Sequence, residues 1–203
     1  MPAESFEPDV SKWEAWHPAE AARRLAGVGV PWAVIAGWSL DLFRGGQTRE
    51  HEDLEIAVPA HGFPAILDAL ADFEDFVVGD GLARPVSAEA LVGTHQTWIR
   101  ERGSGLWRLD VIREPWDGDT WLCRRDARIR RPGSEVIAHT ADGIPYQLPE
   151  IALLFKAKHT REKDQADFDG TLPLLDPAAR AWLANSLELV HPGHPWIEAA
   201  KAA

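Results

Sequence analysis

The stretch AGWSLDLFRGGQTREHEDLEIAV, residues 36–58, joins a glycine-containing turn to an acid-apolar-acid triplet. Asp53, Leu54 and Glu55 open an apolar run that ends at Pro59, and this run is typical of a β-strand. Because side chains alternate along a strand, Asp53 and Glu55 are expected on one face of a sheet and Leu54 on the other. Two neighbouring carboxylates repel each other unless a cation lies between them, so the triplet raises the question of a cation site.

The segments around this stretch alternate between helical and extended patterns. Helices are predicted over 17–29, 38–46 and 62–73, and strands over 32–37, 52–59 and 75–80, the last as an edge strand. Residues 94–115 read THQTWIRERGSGLWRLDVIREP and predict a β-hairpin that turns at Gly103-Ser104-Gly105. This alternation predicts a mixed α/β core.

The character of the sequence changes after Pro132, where helical patterns predominate. One helix is expected to begin at Pro149, a second lies near 164–175, and a third begins after Asp176. We therefore expect an α/β domain over residues 1–125 and a mainly helical region over residues 126–203. The predicted fold class is α/β (α+β), with a mixed sheet flanked by helices and a smaller helical C-terminal part.

Composition narrows the classes of function. The 203 residues carry 21 basic and 32 acidic side chains, a net charge of −11, which disfavours nucleic acid as a partner and favours a cationic or neutral substrate. The basic run RRDARIRRP, residues 124–132, is the local exception and is expected to be a solvated strand or loop. The lone Cys123 indicates a reducing compartment, and no run approaches the ~20 apolar residues of a membrane helix. A cytoplasmic protein without a membrane partner is expected.

A third carboxylate and a glycine turn complete the candidate site. Asp110 lies between Leu109 and Val111 on the second arm of the hairpin, where a carboxylate is costly unless it is paired or bound to a cation. Together with the triplet it would form an oxygen-rich site suited to Mg²⁺, which keeps waters and substrate phosphates as its other ligands. Upstream, Gly37 lies between a predicted strand and helix, where backbone N–H groups favour phosphate.

This arrangement resembles the nucleotidyltransferase superfamily that shares a fold with polymerase β. More narrowly, residues 36–56 are similar to the stretch GGW…D…G…TR.H.D of the aminoglycoside 2''-O-nucleotidyltransferases and lincosamide nucleotidyltransferases. The resemblance implies an Mg²⁺-dependent enzyme that moves a nucleoside monophosphate to a hydroxyl of a small molecule, either AMP from ATP or the monophosphate of another nucleoside triphosphate. An aminoglycoside-like antibiotic is the acceptor that it suggests, and antibiotic resistance the role.

The resemblance also implies roles for the three acids. Asp53 and Glu55 correspond to Mg²⁺ ligands, and Asp110 corresponds to a third acid that serves as a further ligand or as the general base. All three are expected to be catalytic. Glu55 departs from the commoner aspartate by one methylene, which is expected to alter the metal geometry.

On the donor side, the resemblance implies that Gly37 and Ser39 lie under the phosphates. Arg49 and His51 would lie near the triphosphate or hold the acidic strand in position. Ala36 replaces the first glycine of the family's pair, which is tolerable only if this residue does not need a positive φ.

Lys158 is the candidate cation of the C-terminal region. At 100° per residue Lys158 shares a stripe with Ile151 and Leu154, so it is expected to project from the packed face of its helix. Two interpretations stay open: the ammonium reaches the rim, or it neutralises donor phosphate, with Lys156 the poorer candidate. The acids at 164, 167 and 169 are expected to form a solvated face.

Two other functions compete with the first. In the first of these, the chemistry is the same but the acceptor is a macromolecule, such as RNA or a protein hydroxyl, as in a toxin-like nucleotidyltransferase. Alternatively, Ala36 and Glu55 mark a catalytically degenerate module that binds nucleotide without turnover. The sequence leaves the oligomeric state open.

Overall fold

The structure is a computed structural model, and it describes residues 5–202 of the chain. The helices in this range are α1 Pro18–Arg24, α2 Ala36–Arg44, α3 Phe63–Ala69, α4 Ala88–Leu91, α5 Pro149–Lys156, α6 Glu162–Thr171, α7 Pro177–Val190 and α8 Pro195–Ala202. The strands are β1 Ala33–Val34, β2 Glu55–Pro59, β3 Glu74–Gly79, β4 Leu82–Pro85, β5 Gln96–Arg100, β6 Trp107–Glu114, β7 Trp116–Asp117, β8 Thr120–Leu122, β9 Arg130–Pro132, β10 Ile137–His139 and β11 Pro145–Gln147. These elements confirm the predicted mixed α/β class.

The chain divides into two compact units that alternate along the sequence. The first unit comprises the residues up to Ala33 and His51–Glu114, and the second comprises Val34–Glu50 and the residues from Pro115 onward. The glycine turn and the acidic triplet therefore belong to different units. The domain boundary between residues 125 and 126 stays a prediction.

The first unit contains a mixed sheet in the order β2-β6-β5-β3-β4. Strands β2 and β6 are parallel, and the other neighbouring pairs are antiparallel. Strands β5 and β6 form the hairpin that residues 94–115 predict. The prediction that β3 is an edge strand is wrong, because β3 pairs with β5 on one side and β4 on the other. The edge position belongs to β4, whose last residue, Pro85, suits an edge because it has no N–H to donate.

An aromatic cluster covers part of this sheet. Its buried members are Phe76, Val78, Ala83 and Trp107, and the rings of Phe6, Trp13 and Trp98 pack against them. Phe6 and Trp13 reach the cluster because the N-terminal segment forms isolated bridges with Ala83 and Trp107. Much of the tryptophan content of the first unit therefore serves packing.

The second unit has a helical core. Buried side chains of α2, α5, α6, α7 and α8 form one apolar cluster that includes Leu40, Ile151, Leu154, Phe168, Leu183 and Trp196. Helix α2 ends as predicted at Gly45, whose φ of +81° is the left-handed conformation that a glycine adopts without strain. No helix among residues 5–202 is long and apolar enough to cross a bilayer.

Short strands precede the C-terminal helices α5–α8 of the second unit. Strand β11 pairs with β10 and, in parallel, with Val34 of β1, and β7, β8 and β9 form a separate small sheet. The prediction of helices immediately after Pro132 is therefore incomplete, since β10 and β11 intervene before α5. Each of these strands has only three residues, too few for a period of two to stand out in the sequence.

Candidate active site

The acidic triplet and Asp110 come together on two parallel strands of the first unit. Glu55 is the first residue of β2, and the register of the pair places it directly opposite Asp110 of β6. The Asp110 N–H donates to the Leu54 carbonyl over 2.9 Å, which extends the ladder by one residue. Leu54 is fully buried, whereas Asp53 is exposed and Glu55 is half-buried. Burial thus alternates as expected, although β2 begins at Glu55 and Asp53 lies just before it.

Asp110 is a buried carboxyl group with only part of its hydrogen-bonding capacity used. Its side chain is 2% exposed, and Gln96 Nε2 donates to Oδ2. The other oxygen, Oδ1, is buried and accepts no hydrogen bond from the described residues. Burial raises the pKa of Asp110 well above its usual range, and the charges of Glu55 and Asp53 raise it further. The hydrogen bond from Gln96 acts in the opposite direction but is outweighed. Asp110 therefore offers an oxygen to a proton or to a cation.

The donor set fits a hard divalent cation. Asp53, Glu55 and Asp110 supply only carboxylate oxygens, and a cation bound to them would relieve the repulsion that, together with the larger effect of burial, raises the pKa of Asp110. Among the described residues no group of three or more His, Cys, Asp or Glu side chains is already arranged to hold a metal ion. Mg²⁺ in phosphate-transfer sites takes one or two carboxylates and completes its shell with waters and phosphates, so the chemistry of these side chains is compatible with it.

Two neighbours of Asp110 were not identified from the sequence. Gln96 holds one carboxyl oxygen, and Trp98 lies directly opposite Asp110 on β5. Trp98 Nε1 is buried outside hydrogen-bond geometry, yet it is near enough to Asp110 to oppose the rise in its pKa. The sequence contains a signal that identifies them. Alternation of side chains on either side of the turn at Gly103-Ser104-Gly105 places Gln96, Trp98 and Asp110 on one face of the hairpin.

The glycine turn lies in the second unit and contains a strained residue. Ala36 has a φ of +58°, the left-handed conformation that a residue with a Cβ adopts at a cost. From the sequence, alanine is tolerable at position 36 only if this residue does not need a positive φ. The structure shows that it does take a positive φ. The Ser39 hydroxyl donates to the Ala36 carbonyl over 2.8 Å, and Gly37 and Ser39 are both buried. The Ser39 hydroxyl thus stabilises the turn, and the Ser39 N–H donates to the Ile35 carbonyl over 3.3 Å. Of the two residues, only Gly37 therefore keeps a backbone N–H suited to phosphate.

Arg49 belongs to an ion-pair network in the second unit. Its Nη2 lies 3.0 Å from Asp167 Oδ2, and its Nε donates to Oδ1 over 3.3 Å. Asp167 and Asp164 are 2% and 1% exposed, so the expectation that they form a solvated face is wrong. Both share one face of α6 with buried Phe168, whereas Asp169 points away and is exposed.

The two lysines near the end of α5 exchange the positions predicted for them. Helix α5 ends at Lys156, and Ala157–His159 form a 3₁₀ turn in which Lys158 is exposed. Lys156 instead occupies the packed face, with its Nζ 2.8 Å from Asp164 Oδ1 and 3.0 Å from Asp167 Oδ2. The stripe fails because a 3₁₀ turn has three residues per turn and rotates the following side chain away.

Several arginines of the basic run 124–132 are hydrogen-bonded or ion-paired to oxygens of the same unit. Arg125 donates to the Leu154 and Phe155 carbonyls, Arg128 pairs with Asp126, and Arg131 pairs with Glu150 over 2.6 Å. Arg130–Pro132 form β9, in agreement with the expectation of a strand or loop, but the Arg131 side chain is largely buried against Glu150 and is not solvated as expected. These contacts weaken the case for a continuous basic groove.

Comparisons with known proteins agree with the resemblance seen in the sequence. Residues 19–100 match the family model of the aminoglycoside-2''-adenylyltransferases. The solved structure of the lincosamide antibiotic adenylyltransferase LnuA, bound to lincomycin, is 17% identical, with a TM-score of 0.55 over 77% of this chain and 95% of that chain. An antigenic nucleotidyltransferase-like protein from Paracoccidioides brasiliensis is 16% identical, with a TM-score of 0.52 over 91% of this chain and 90% of that chain. A search of curated protein sequences found no significant match.

The two solved structures show the fold, and the family match adds sequence evidence. The matched residues include the glycine turn, Asp53 and Glu55, and they end within β5, before Asp110. In its fold and in this segment the chain resembles the antibiotic nucleotidyltransferases of the nucleotidyltransferase superfamily, and the resemblance supports activity as a nucleotidyltransferase enzyme.

Proposed function

We propose that the chain is an Mg²⁺-dependent nucleotidyltransferase that moves AMP from ATP to a hydroxyl of a small molecule. The observation that carries the proposal is the pair of carboxylates formed by Glu55 and Asp110 on adjacent parallel strands, with one Asp110 oxygen buried and unbonded. The description of the matched family and the net charge of −11 favour a polycationic, aminoglycoside-like antibiotic as the acceptor.

The proposed step is an in-line displacement at the α-phosphorus of ATP. The acceptor oxygen forms a bond to this phosphorus, the bond from the α-phosphorus to the bridging oxygen breaks, and pyrophosphate leaves. The hydroxyl proton passes to Asp110, which acts as the general base. Mg²⁺ held by Asp53 and Glu55 would neutralise the phosphate charge that develops during transfer.

Different groups are proposed to bind the donor phosphates. The backbone at Gly37 supplies an N–H group at the start of α2, next to Ser39, whose own N–H donates to the Ile35 carbonyl, and Lys158 supplies an exposed ammonium group. The contact between Arg49 and Asp167 favours the second role implied for Arg49, which is to hold the acidic strand in position rather than to lie near the triphosphate.

Isothermal titration of nucleoside triphosphates tests the donor half of the proposal. Wild type, Asp53→Asn and Asp68→Asn are titrated with ATP and the other triphosphates, with and without Mg²⁺. Asp68 is an exposed residue of α3, so its substitution changes the net charge equally without touching the acidic triplet. We expect Mg²⁺-dependent binding by wild type and Asp68→Asn that Asp53→Asn loses. Absence of triphosphate binding to wild type would refute the proposed function.

Release of pyrophosphate tests the acceptor half. Wild type and Mg²⁺-ATP are incubated with aminoglycosides, lincosamides or RNA, and each product is identified by its added mass. We expect an adenylylated small molecule. Transfer to RNA alone would replace the proposed acceptor with a macromolecule, and ATP binding without any turnover would favour the degenerate module.

A further inference from the structure

Seven charged side chains meet in the second unit around the end of α2, the end of α5 and the start of α6. The cations are Arg44, Arg49, Lys156 and Arg161, and the acids are Asp41, Asp164 and Asp167. The acids are almost completely buried, each at 1% or 2% exposure. Buried carboxylates are stable only when cations and hydrogen-bond donors surround them, so the members of this cluster depend on one another.

Asp167 is the member that joins three separate segments. It contacts Arg44 of α2 at 3.4 Å, Arg49 of the following loop at 3.0 Å and Lys156 of α5 at 3.0 Å. Burial acts to raise the pKa of Asp167, but the Arg49 hydrogen bonds and the Lys156 charge outweigh burial and lower it. The carboxylate is therefore held in its ionised form, in which it accepts from both Nε and Nη2 of Arg49.

The loop that Arg49 occupies, residues 45–50, leaves α2 through two consecutive glycines. Gly45 and Gly46 restrict the backbone little, so the conformation of the rest of the loop depends on side-chain contacts. Two such contacts reach buried acids: Thr48 Oγ1 donates to Asp41 Oδ1 over 2.6 Å, and Arg49 donates to Asp167. Along the chain, the same loop continues within four residues to Asp53.

We propose that Asp167 is a positioning residue, which fixes Arg49 and through it the segment that delivers Asp53 and Glu55 to their strand. The inference rests on the proposed function for its catalytic consequence, but not for its structural content. It assigns to α6, near the end of the chain, a role in the chemistry of a motif near the beginning. The acid touches no reacting atom in this account, since its carboxylate is occupied by the three cations.

Hydrogen–deuterium exchange tests the structural content without any ligand. Exchange is measured on peptides covering residues 45–54 in wild type, Asp167→Asn, Asp167→Glu and Asp169→Asn. Asp169 is the matched control, because it lies on the exposed face of the same helix. We expect exchange in this segment to rise about tenfold or more in Asp167→Asn, to rise less in Asp167→Glu and to stay unchanged in Asp169→Asn. An unchanged segment, or an equal rise in every peptide, would overturn the positioning role.

Steady-state kinetics test the catalytic consequence. We expect Asp167→Asn to lower kcat at least tenfold, with partial recovery in Asp167→Glu and no change in Asp169→Asn. If Asp167→Asn fails to fold, the double variant Arg49→Met/Asp167→Leu removes one charge of each sign and serves in its place. A normal kcat in a folded variant whose 45–54 segment is loosened would overturn the positioning role. If wild type binds no triphosphate, the proposed function is refuted. The structural role of Asp167 is then tested by hydrogen–deuterium exchange alone.

Discussion

Glu55 and Asp110 lie directly opposite each other on two parallel strands, and Asp110 carries a buried oxygen to which no described residue donates a hydrogen bond. Burial and the nearby charge of Glu55 both raise the pKa of Asp110, so the ionised form of Asp110 is unfavourable in the isolated protein. Groups that function in catalysis are often kept in such unfavourable surroundings, because the substrate or a cation relieves the cost on binding. The pair therefore predicts opposite effects of one substitution on activity and on stability.

Replacing Asp110 by Asn separates these two effects. The substitution keeps the shape of the side chain and the partner Gln96, but it removes the charge and the basic oxygen. We expect kcat to fall by about 10²- to 10⁴-fold, the contribution typical of a general base. We also expect the melting temperature to stay equal or to rise, because a buried charge is lost. Thermal unfolding and pyrophosphate release from one preparation check both; unchanged kcat contradicts the role of Asp110.

The strained turn predicts a stabilising substitution. Ala36→Gly relieves a left-handed conformation that costs an alanine about 1–2 kcal/mol, against a smaller loss from the greater freedom of glycine when unfolded. We expect the free energy of unfolding to rise by roughly 1 kcal/mol in a denaturant titration. The control is Ala181→Gly, at an exposed interior position of α7, which should lower stability by about 1 kcal/mol. Equal losses in both variants would contradict the strain at Ala36.

The ion pairs of Asp164 predict a pH-dependent stability. Burial acts to raise the pKa of Asp164, but hydrogen bonds from Arg161 and Lys156 outweigh it and leave the pKa below its usual range. A carboxyl whose pKa is lowered by folding stabilises the protein above its unfolded pKa of about 3.9, and this stabilisation is lost as the pH falls through the lower folded pKa.

Asp164→Asn is therefore expected to lose about 3 kcal/mol of stability at pH 7, the loss typical of a broken buried pair. The difference from wild type should narrow once the pH falls below about 4. Denaturant midpoints measured between pH 7 and pH 2 check this trend. A difference that stays constant over this range would show that the charge of Asp164 does not stabilise the fold.

Lys156 and Lys158 are expected to respond differently to removal of their charges. Lys156→Met leaves Asp164 and Asp167 short of one cation in a buried cluster, so we expect a loss of about 3 kcal/mol in stability. Lys158→Met changes an exposed side chain, and stability should stay within about 0.5 kcal/mol. If Lys158 binds donor phosphate, this variant should weaken triphosphate binding in the presence of Mg²⁺; unchanged affinity would remove it from the site.

The sequence predicted those features that depend on local pattern. The hairpin, the end of α2 at Gly45 and the alternation of Asp53, Leu54 and Glu55 each follow from the spacing of apolar, glycine and charged residues within a few positions. The mixed α/β class follows from the order of such segments. The resemblance of residues 36–56 to a known motif then supplied the superfamily, which the fold and the family match support.

Features that depend on tertiary contact were missed or misplaced. Asp164 and Asp167 carry the charge of surface residues, and their burial depends on cations from α2, from the loop 45–50, from α5 and from the residue before α6. Lys158 was misplaced because α5 tightens into a 3₁₀ turn, which periodicity at 100° per residue does not foresee. The edge strand was misassigned because β4 is short and contains a proline, so its pattern was weak.

The parallel pairing of β2 with β6 also bears on the order of folding. The antiparallel neighbours β3-β4 and β5-β6 join segments that are close in the chain, whereas β2 meets β6 only across all the intervening residues. Pairing two distant segments closes a long loop and lowers the conformational entropy of the intervening chain, so such pairings tend to form late in folding. The two acids opposed across this pairing would then be assembled only as folding nears completion. A ligand that binds both acids should accordingly slow unfolding and leave the rate of folding almost unchanged, which makes the lifetime of the native state a direct report on this site.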